Sequence, residues 1–296
     1  MAIVPSATIA VTGAAGQLGR ALCRLLGPRA TGLPRSALDI TQPQQVLAVL
    51  ERLRPSAVIN CAAWTAVDRA ETEFPAALAA NAVAVQHLAD ACRTVDCRLV
   101  QVSTDYVFGA DADRTTPYAE TDPTGPLNAY GRSKLAGEAA ARSWWNHQIV
   151  RTCGLYTAGE QGPVRGRNFA DTMLVLARDR PEVRVVADQF CTPSYVPHVA
   201  EAILALLESD ATGTFHLTNA GSTSWHGFAR ELFEQAGLPT GAVPIAAREY
   251  PSPVARPAYS VLDAGRLGGL GIFLPVWQRG IAAYLAAQVA GAQGPG

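Results

Sequence analysis

Short apolar runs alternate with amphipathic stretches along the first half of the chain. Most of the runs at 8–12, 30–33, 57–61, 98–103 and 147–151 are near-continuously apolar. Strands buried on both faces of a parallel sheet need that pattern, whereas a half-exposed strand alternates polar and apolar positions. Between the runs, 18–26, 43–53, 75–94 and 128–143 carry helical patterns. Strand–helix alternation of this kind predicts an α/β doubly wound parallel sheet with right-handed crossovers.

Beyond residue 156 the pattern loosens. Glycines and Pro163 make 159–166 a flexible loop, followed by a helix at 168–177 and a strand at 183–187. Helices at 199–207 and 225–236 precede the proline-rich segment 250–257, which excludes regular helix. The chain divides on this reading into a sheet domain, 1–156, and 157–296, mainly a smaller C-terminal lobe with some elements returning to the main sheet.

Composition narrows the function classes. With 49% hydrophobic and 17% charged residues, 296 residues suffice for a substantial core. A net charge of −1 supplies no basic field for a phosphate backbone, so a small-molecule partner is expected and nucleic acid is not. No run approaches about 18 uninterrupted apolar residues, and residues 1–5 lack the basic and long apolar regions of a signal peptide. The expectation is a cytoplasmic protein without a membrane partner. Six cysteines without a CxxC pair read as reduced core residues, and no metal-ligand spacing occurs, so no metal is expected. His198 and His216, in apolar surroundings, read as hydrogen-bonded core residues, and Trp144-Trp145 as core or interface packing. Of 24 basic residues only one, Lys134, is lysine. Its compact ammonium fits where a planar guanidinium does not.

The candidate chemistry begins after the first run. Gly13-Ala14-Ala15-Gly16-Gln17-Leu18-Gly19 joins strand to helix. Glycines there permit a sharp turn and close approach to a pyrophosphate, which the helix N-terminus stabilises. The spacing is GxxGxxG rather than GxGxxG, but the strand–loop–helix context makes a Rossmann-like dinucleotide site the reading for 1–156. After the second run stands Pro34-Arg35-Ser36, with Asp39 farther on. An Arg at that place pairs with a 2′-phosphate, which favours NADPH and leaves NADH open; Arg35 reads equally as a solvated surface charge.

Tyr130 and Lys134 lie four apart on one face of a predicted helix. An adjacent ammonium stabilises phenolate and lowers the phenol pKa, making the pair a usable acid/base. They follow Ser103-Thr104-Asp105 at the end of a predicted central strand, where ligands of open α/β sheets bind.

These features, with Asn60-Cys61-Ala62-Ala63-Trp64-Thr65-Ala66-Val67-Asp68, Val102-Ser103-Thr104-Asp105-Tyr106-Val107-Phe108, the run from Pro126 to Glu138 (PLNAYGRSKLAGE) and Asp188-Gln189-Phe190-Cys191-Thr192-Pro193, resemble the dTDP-4-dehydrorhamnose reductase family of extended short-chain dehydrogenases/reductases over nearly the whole chain. The resemblance implies that Thr104, Tyr130 and Lys134 are catalytic. It places Gly13, Gly16, Gln17, Leu18, Gly19, Arg35, Asp39, Ile40, Ala63, Trp64 and Thr65 at the cofactor together with Tyr130 and Lys134. Thr104, Asp105, Tyr130, Gly154, Asn168 and Gln189 would face the sugar in a C-terminal substrate-binding lobe. The implied reaction is NAD(P)H-dependent reduction at C4 of a dTDP-4-dehydro-6-deoxy-L-sugar, dTDP-4-dehydrorhamnose first. Many members carry an aromatic residue, usually Trp, where Gly154 stands, so the reaction class is better fixed than the sugar.

Dehydratases of this superfamily follow the threonine with an Asp-Glu pair, but this chain has Asp105-Tyr106. Two alternatives stay open at this point: a dTDP-dihydrostreptose synthase, which reduces a ring-contracted relative of the same sugar, and a non-catalytic dinucleotide-binding regulatory subunit. A homodimer is compatible with the sequence, which does not fix the oligomeric state.

Overall fold

The computed structural model describes residues 8–159, 168–250 and 252–292. Most of the expected 159–166 loop, and Pro251 of the proline-rich segment, lie outside the described residues. The first half runs β1 (Ile9–Thr12), α1 (Gln17–Leu26), β2 (Ala30–Leu33), α2 (Pro43–Leu53), β3 (Ala57–Asn60), α3 (Val67–Ala70), α4 (Phe74–Leu78), α5 (Ala84–Val95), β4 (Arg98–Thr104), α6 (Ala129–Arg142) and β5 (His147–Thr152). The remainder follows as β6 (Leu155–Tyr156), α7 (Phe169–Asp179), β7 (Glu182–Val186), β8 (Phe190–Cys191), β9 (Ser194–Tyr195), α8 (Val196–Glu208), β10 (Gly213–His216), β11 (Thr223–Ser224), α9 (Trp225–Gln235), β12 (Gly241–Ile245), α10 (Gly265–Gly268) and α11 (Trp277–Ala292).

The five expected strands of the first half, joined by β10 from the second, form a six-stranded all-parallel sheet in the order β10-β5-β4-β3-β1-β2. The fold class is the expected α/β, Rossmann-like one. Leu18, Leu22 and Leu26 of α1 and the apolar side of α8 cover one face. Val46 and Leu50 of α2, Val85 and Leu88 of α5 and Ala141 of α6 cover the other. Sequence order reverses at β1, which pairs with β2 on one side and β3 on the other, opening a crevice at the carboxyl ends of β1 and β3.

The sixth strand, β10, carries no apolar run of its own: Gly213-Thr214-Phe215-His216 is mixed. Together with α8 it belongs to the sheet's core. The strand read at 183–187 pairs instead with β12, away from the main sheet. A second core gathers Met173, Val183, Phe228, Leu232, Phe233, Ile281 and Tyr284 from α7, β7, α9 and α11. Helix α11 escaped the sequence reading altogether, since its Ala-rich run lacks a polar stripe.

The single helix expected at 75–94 is interrupted. Between α4 and α5, Ala79–Val83 widens into a π turn. There α6 packs so closely that a Cβ on Gly137 would overlap the Asn81 carbonyl oxygen. Gly137→Ala should therefore force the two elements apart and cost about 1–3 kcal/mol, the usual range for overpacking. Thermal denaturation checks this, since an unchanged Tm contradicts the close approach.

Candidate active site

The glycine loop is shaped by contact with its neighbours. Gly13 has φ +64°, and a Cβ there would lie 2.6 Å from the Ala62 amide nitrogen. A Cβ on Gly19 would overlap the Gly13 carbonyl oxygen. Gly16 begins α1 without a side-chain cap, and the first turn holds no acidic residue. The helix start thus presents amides and positive dipole to the crevice. Gln17 Oε1 is buried without a hydrogen-bond partner, while Leu18 is core. Uncapped amides, an orphaned side chain and a backbone with no room for Cβ atoms fit a dinucleotide pyrophosphate.

Past β2, Arg35 is exposed and reaches Asp39 Oδ2 at 3.4 Å. Asp39 also accepts from the Thr41 amide and hydroxyl, which, ahead of Arg35, hold its carboxyl below the ordinary value. Ile40 is buried nearby. The segment Ala63-Trp64-Thr65 is pinned by Asn81, which accepts from the Trp64 amide at 2.8 Å and donates to its carbonyl at 3.0 Å. Asn81 also donates to Ser133 Oγ, tying this segment to α6. The π turn is what aims Asn81 at both.

Helix α6 carries the expected pair. Asn128 caps it by accepting from the Gly131 amide, and Glu71 accepts from the Ala129 amide. Lys134 is buried and its Nζ donates to the Val102 carbonyl at 2.6 Å. Burial brings its pKa down to about 8, against an opposing pull from Glu138. Tyr130 is partly exposed, edge-on to Tyr106 at 6.0 Å. Its hydroxyl is pushed up to about 12 by desolvation and the Asp105 charge, with a Thr104 hydrogen bond opposing. This corrects the expectation of a lysine-lowered phenol. The ammonium is engaged with β4, and the uncompensated environment keeps Tyr130 protonated.

Thr104 ends β4 and donates to Asp105 Oδ1 at 3.1 Å. Asp105 is buried, and Ser260 donates to its Oδ2 at 2.6 Å. Desolvation raises its pKa despite these donors. Gly154 lies just beyond β5, whose Thr152 pairs with Thr104. Asn168 caps α7 and donates to the Thr157 carbonyl, so both ends of its amide are engaged. Gln189 is partly exposed just ahead of β8.

Several residues here were not singled out from sequence. Glu138, one turn beyond Lys134, is fully buried and accepts from Arg151 twice, at 2.8 and 2.7 Å, from Ser103 at 2.7 Å and from Arg142 at 2.9 Å. Thr12, Asn60 and Gln101 form a buried ladder across β1, β3 and β4. His216, which the sequence marked as a hydrogen-bonded core residue, sits 3.4 Å from Arg151, donates from Nδ1 to the Asp263 carbonyl, and is pushed down to about 3 by burial and then by Arg151. The YGxxK spacing pointed to α6, but no local signal marked Ser260 or Arg151. His198 pairs with Asn219, and Trp144 is core with its indole on the Cys97 carbonyl, whereas Trp145 is exposed.

A family model described as the RmlD substrate binding domain matches residues 7–289. The chain belongs to the RmlD family of dTDP-4-dehydrorhamnose reductases. A relative of that name from Burkholderia thailandensis is 40% identical over 291 residues, covering 91% of this chain and 95% of the relative. A dTDP-4-keto-6-deoxy-D-glucose reductase from Streptomyces niveus is 42% identical over 268 residues, 88% of this chain and 90% of its own. The crystal structure of the Bacillus anthracis dTDP-4-dehydrorhamnose reductase in complex with NADP superposes with a TM-score of 0.90 at 36% identity, covering 95% of this chain and 99% of that one. Among the described residues of this member of the RmlD family, no helix is long and apolar enough to cross a membrane.

The Glu138 cluster makes a testable demand. Burial would raise its pKa, but Arg151, Ser103 and Arg142 together hold it below the ordinary 4.5. A lowered acid contributes stability above its unfolded pKa and loses it as pH falls through the folded value. Glu138→Gln should cost about 3–5 kcal/mol at neutral pH, because it strands the Arg151 charge. The gap to wild type should narrow below pH 4.5 in denaturant unfolding; a pH-independent gap contradicts the assignment.

Proposed function

We propose that the chain reduces the C4 ketone of a dTDP-linked 4-dehydro-6-deoxy-L-sugar, taking dTDP-4-dehydrorhamnose to dTDP-L-rhamnose with NADPH. The observation that carries the reading is the approach of the Tyr130 hydroxyl to Thr104, with Lys134 buried behind them beside the glycine-loop crevice. The names of the relatives support a 4-ketoreductase over the ring-contracted or regulatory alternatives.

Gly13, Gly16, Gln17 and Gly19 would hold the pyrophosphate, Ala63, Trp64 and Thr65 the near wall, and Asp39 and Ile40 the adenosine end. The bound nicotinamide supplies a hydride. Thr104 then orients the C4 oxygen, and Tyr130, protonated at neutral pH, gives its proton to that oxygen as charge develops. The Lys134 ammonium, fixed on the Val102 carbonyl, would hold the nicotinamide ribose beside the pair rather than lower the phenol. Asp105, whose oxygens are held by Ser260 and Thr104, braces the threonine at the sugar end.

Label from deuterated NADPH should appear at C4 of the product, identified by NMR; its absence there sinks the reading. Tyr130→Phe should lower kcat about 100-fold or more while cofactor affinity stays nearly constant. Activity should fall along an alkaline limb near pH 8, where Lys134 loses its proton.

Cofactor choice rests on Arg35, which is exposed and lightly held by Asp39. Turned to a 2′-phosphate, it would add a charge-assisted hydrogen bond. Arg35→Ala should weaken NADPH about 10-fold and leave NADH nearly unchanged. Parallel changes in the two affinities, measured by titration, would show the guanidinium to be a surface charge.

A further inference from the structure

Trp225 opens α9 directly after β11, whose residues pair with Phe190 and Cys191 of β8. Its ring is partly exposed and lies against Phe169, with centroids 4.6 Å apart. The tip of the indole overhangs Gly154: a Cβ there would come within 3.1 Å of Trp225 Cη2 and 3.2 Å of Pro193 Cα. Gly154 has φ +50°, so space and backbone both favour a residue without a side chain.

Gly154 lies two residues beyond Thr152, the register partner of Thr104. The thiol of Cys153, between them, meets the Asp105 carboxyl. The indole therefore hangs over the same floor as the Thr104–Asp105–Tyr130 group. Floor and overhang come from different cores, β5 from the sheet and α9 from the second core.

We propose that Trp225 is the aromatic wall of the sugar subsite and determines how the deoxyhexose ring is held. The proposal rests on the reductase reading above. A hexose presents C–H groups on its ring faces and, in a 6-deoxy sugar, a methyl group, which pack on an indole, whereas the thymidine diphosphate has no need of this surface.

Trp225→Leu and Trp225→Phe test it, with dTDP-L-rhamnose and dTDP titrated separately by calorimetry in the presence of NADP, alongside steady-state kinetics. The leucine variant should weaken dTDP-L-rhamnose and raise the sugar-nucleotide KM about 10-fold, equal to about 1.4 kcal/mol. The phenylalanine variant, keeping a ring, should lose less. Affinity for dTDP and NADP should stay unchanged, with kcat within about threefold, as expected when uniform binding is removed. Unchanged dTDP-L-rhamnose affinity in the leucine variant overturns the proposal. So does a parallel loss for dTDP, which would mark general damage to the lobe; if the leucine variant fails to fold, an unaltered phenylalanine variant overturns it equally. A wild type that binds dTDP-L-rhamnose more tightly than dTDP yet reduces no 4-keto sugar nucleotide removes the reductase reading and leaves the wall standing. A wild type that binds neither removes both.

Discussion

The buried Glu138 carboxylate holds α6, the helix that carries Tyr130 and Lys134, in place. It sits one turn beyond Lys134 and receives hydrogen bonds from Ser103 on β4 and, twice, from Arg151 on β5. Three elements are thereby fixed at the height where Thr104 meets Tyr130. A buried ion pair is no strong source of net stability, since desolvation offsets much of its attraction. Its geometry is bidentate and fully hydrogen-bonded, however, so α6 has one rotation and one height at which the pair is satisfied. The close approach at Gly137 sets the same helix against the π turn from the other side.

Around that anchor the electrostatics separate two kinds of proton-bearing group. Desolvation acts on both Lys134 and Tyr130 but with opposite sign, bringing the ammonium down and the phenol up. The result is a donor that keeps its proton and a cation close to its own titration. Asp105 reinforces the asymmetry, because its charge opposes that of a tyrosinate. His216, close to Arg151, is held neutral and adds no charge.

One stretch of chain, 255–261, ties several parts of this machinery together. Ala255 accepts from Asn128, Arg256 reaches Asp68, Ser260 holds Asp105, and Val261 accepts from the Tyr118 amide. The segment thus touches the cap of α6, the short helix α3 and the residue that follows β4. Lobe and sheet share one polar seam, so the sugar side of the crevice is not built by either alone.

The sequence by itself located the strands of the first half, because strands buried between helices are mostly short apolar runs set between helical patterns. It also determined the glycine loop and the Tyr130–Lys134 pairing, since both are local: steric room at one turn, and a shared helix face. Tertiary structure alone decided the rest. Strand β10 became a strand because β5 offered an unpaired edge, and the helix read at 75–94 widened at 79–83 where α6 crosses it. The phenol moved up rather than down because burial and the Asp105 charge act on it, while the lysine ammonium lies on the Val102 carbonyl, 32 positions away in sequence. Ser260 joined Asp105 across 155 positions. Hydrogen bonds and desolvation depend on which atoms fill the space around a group, and no spacing along the chain encodes that.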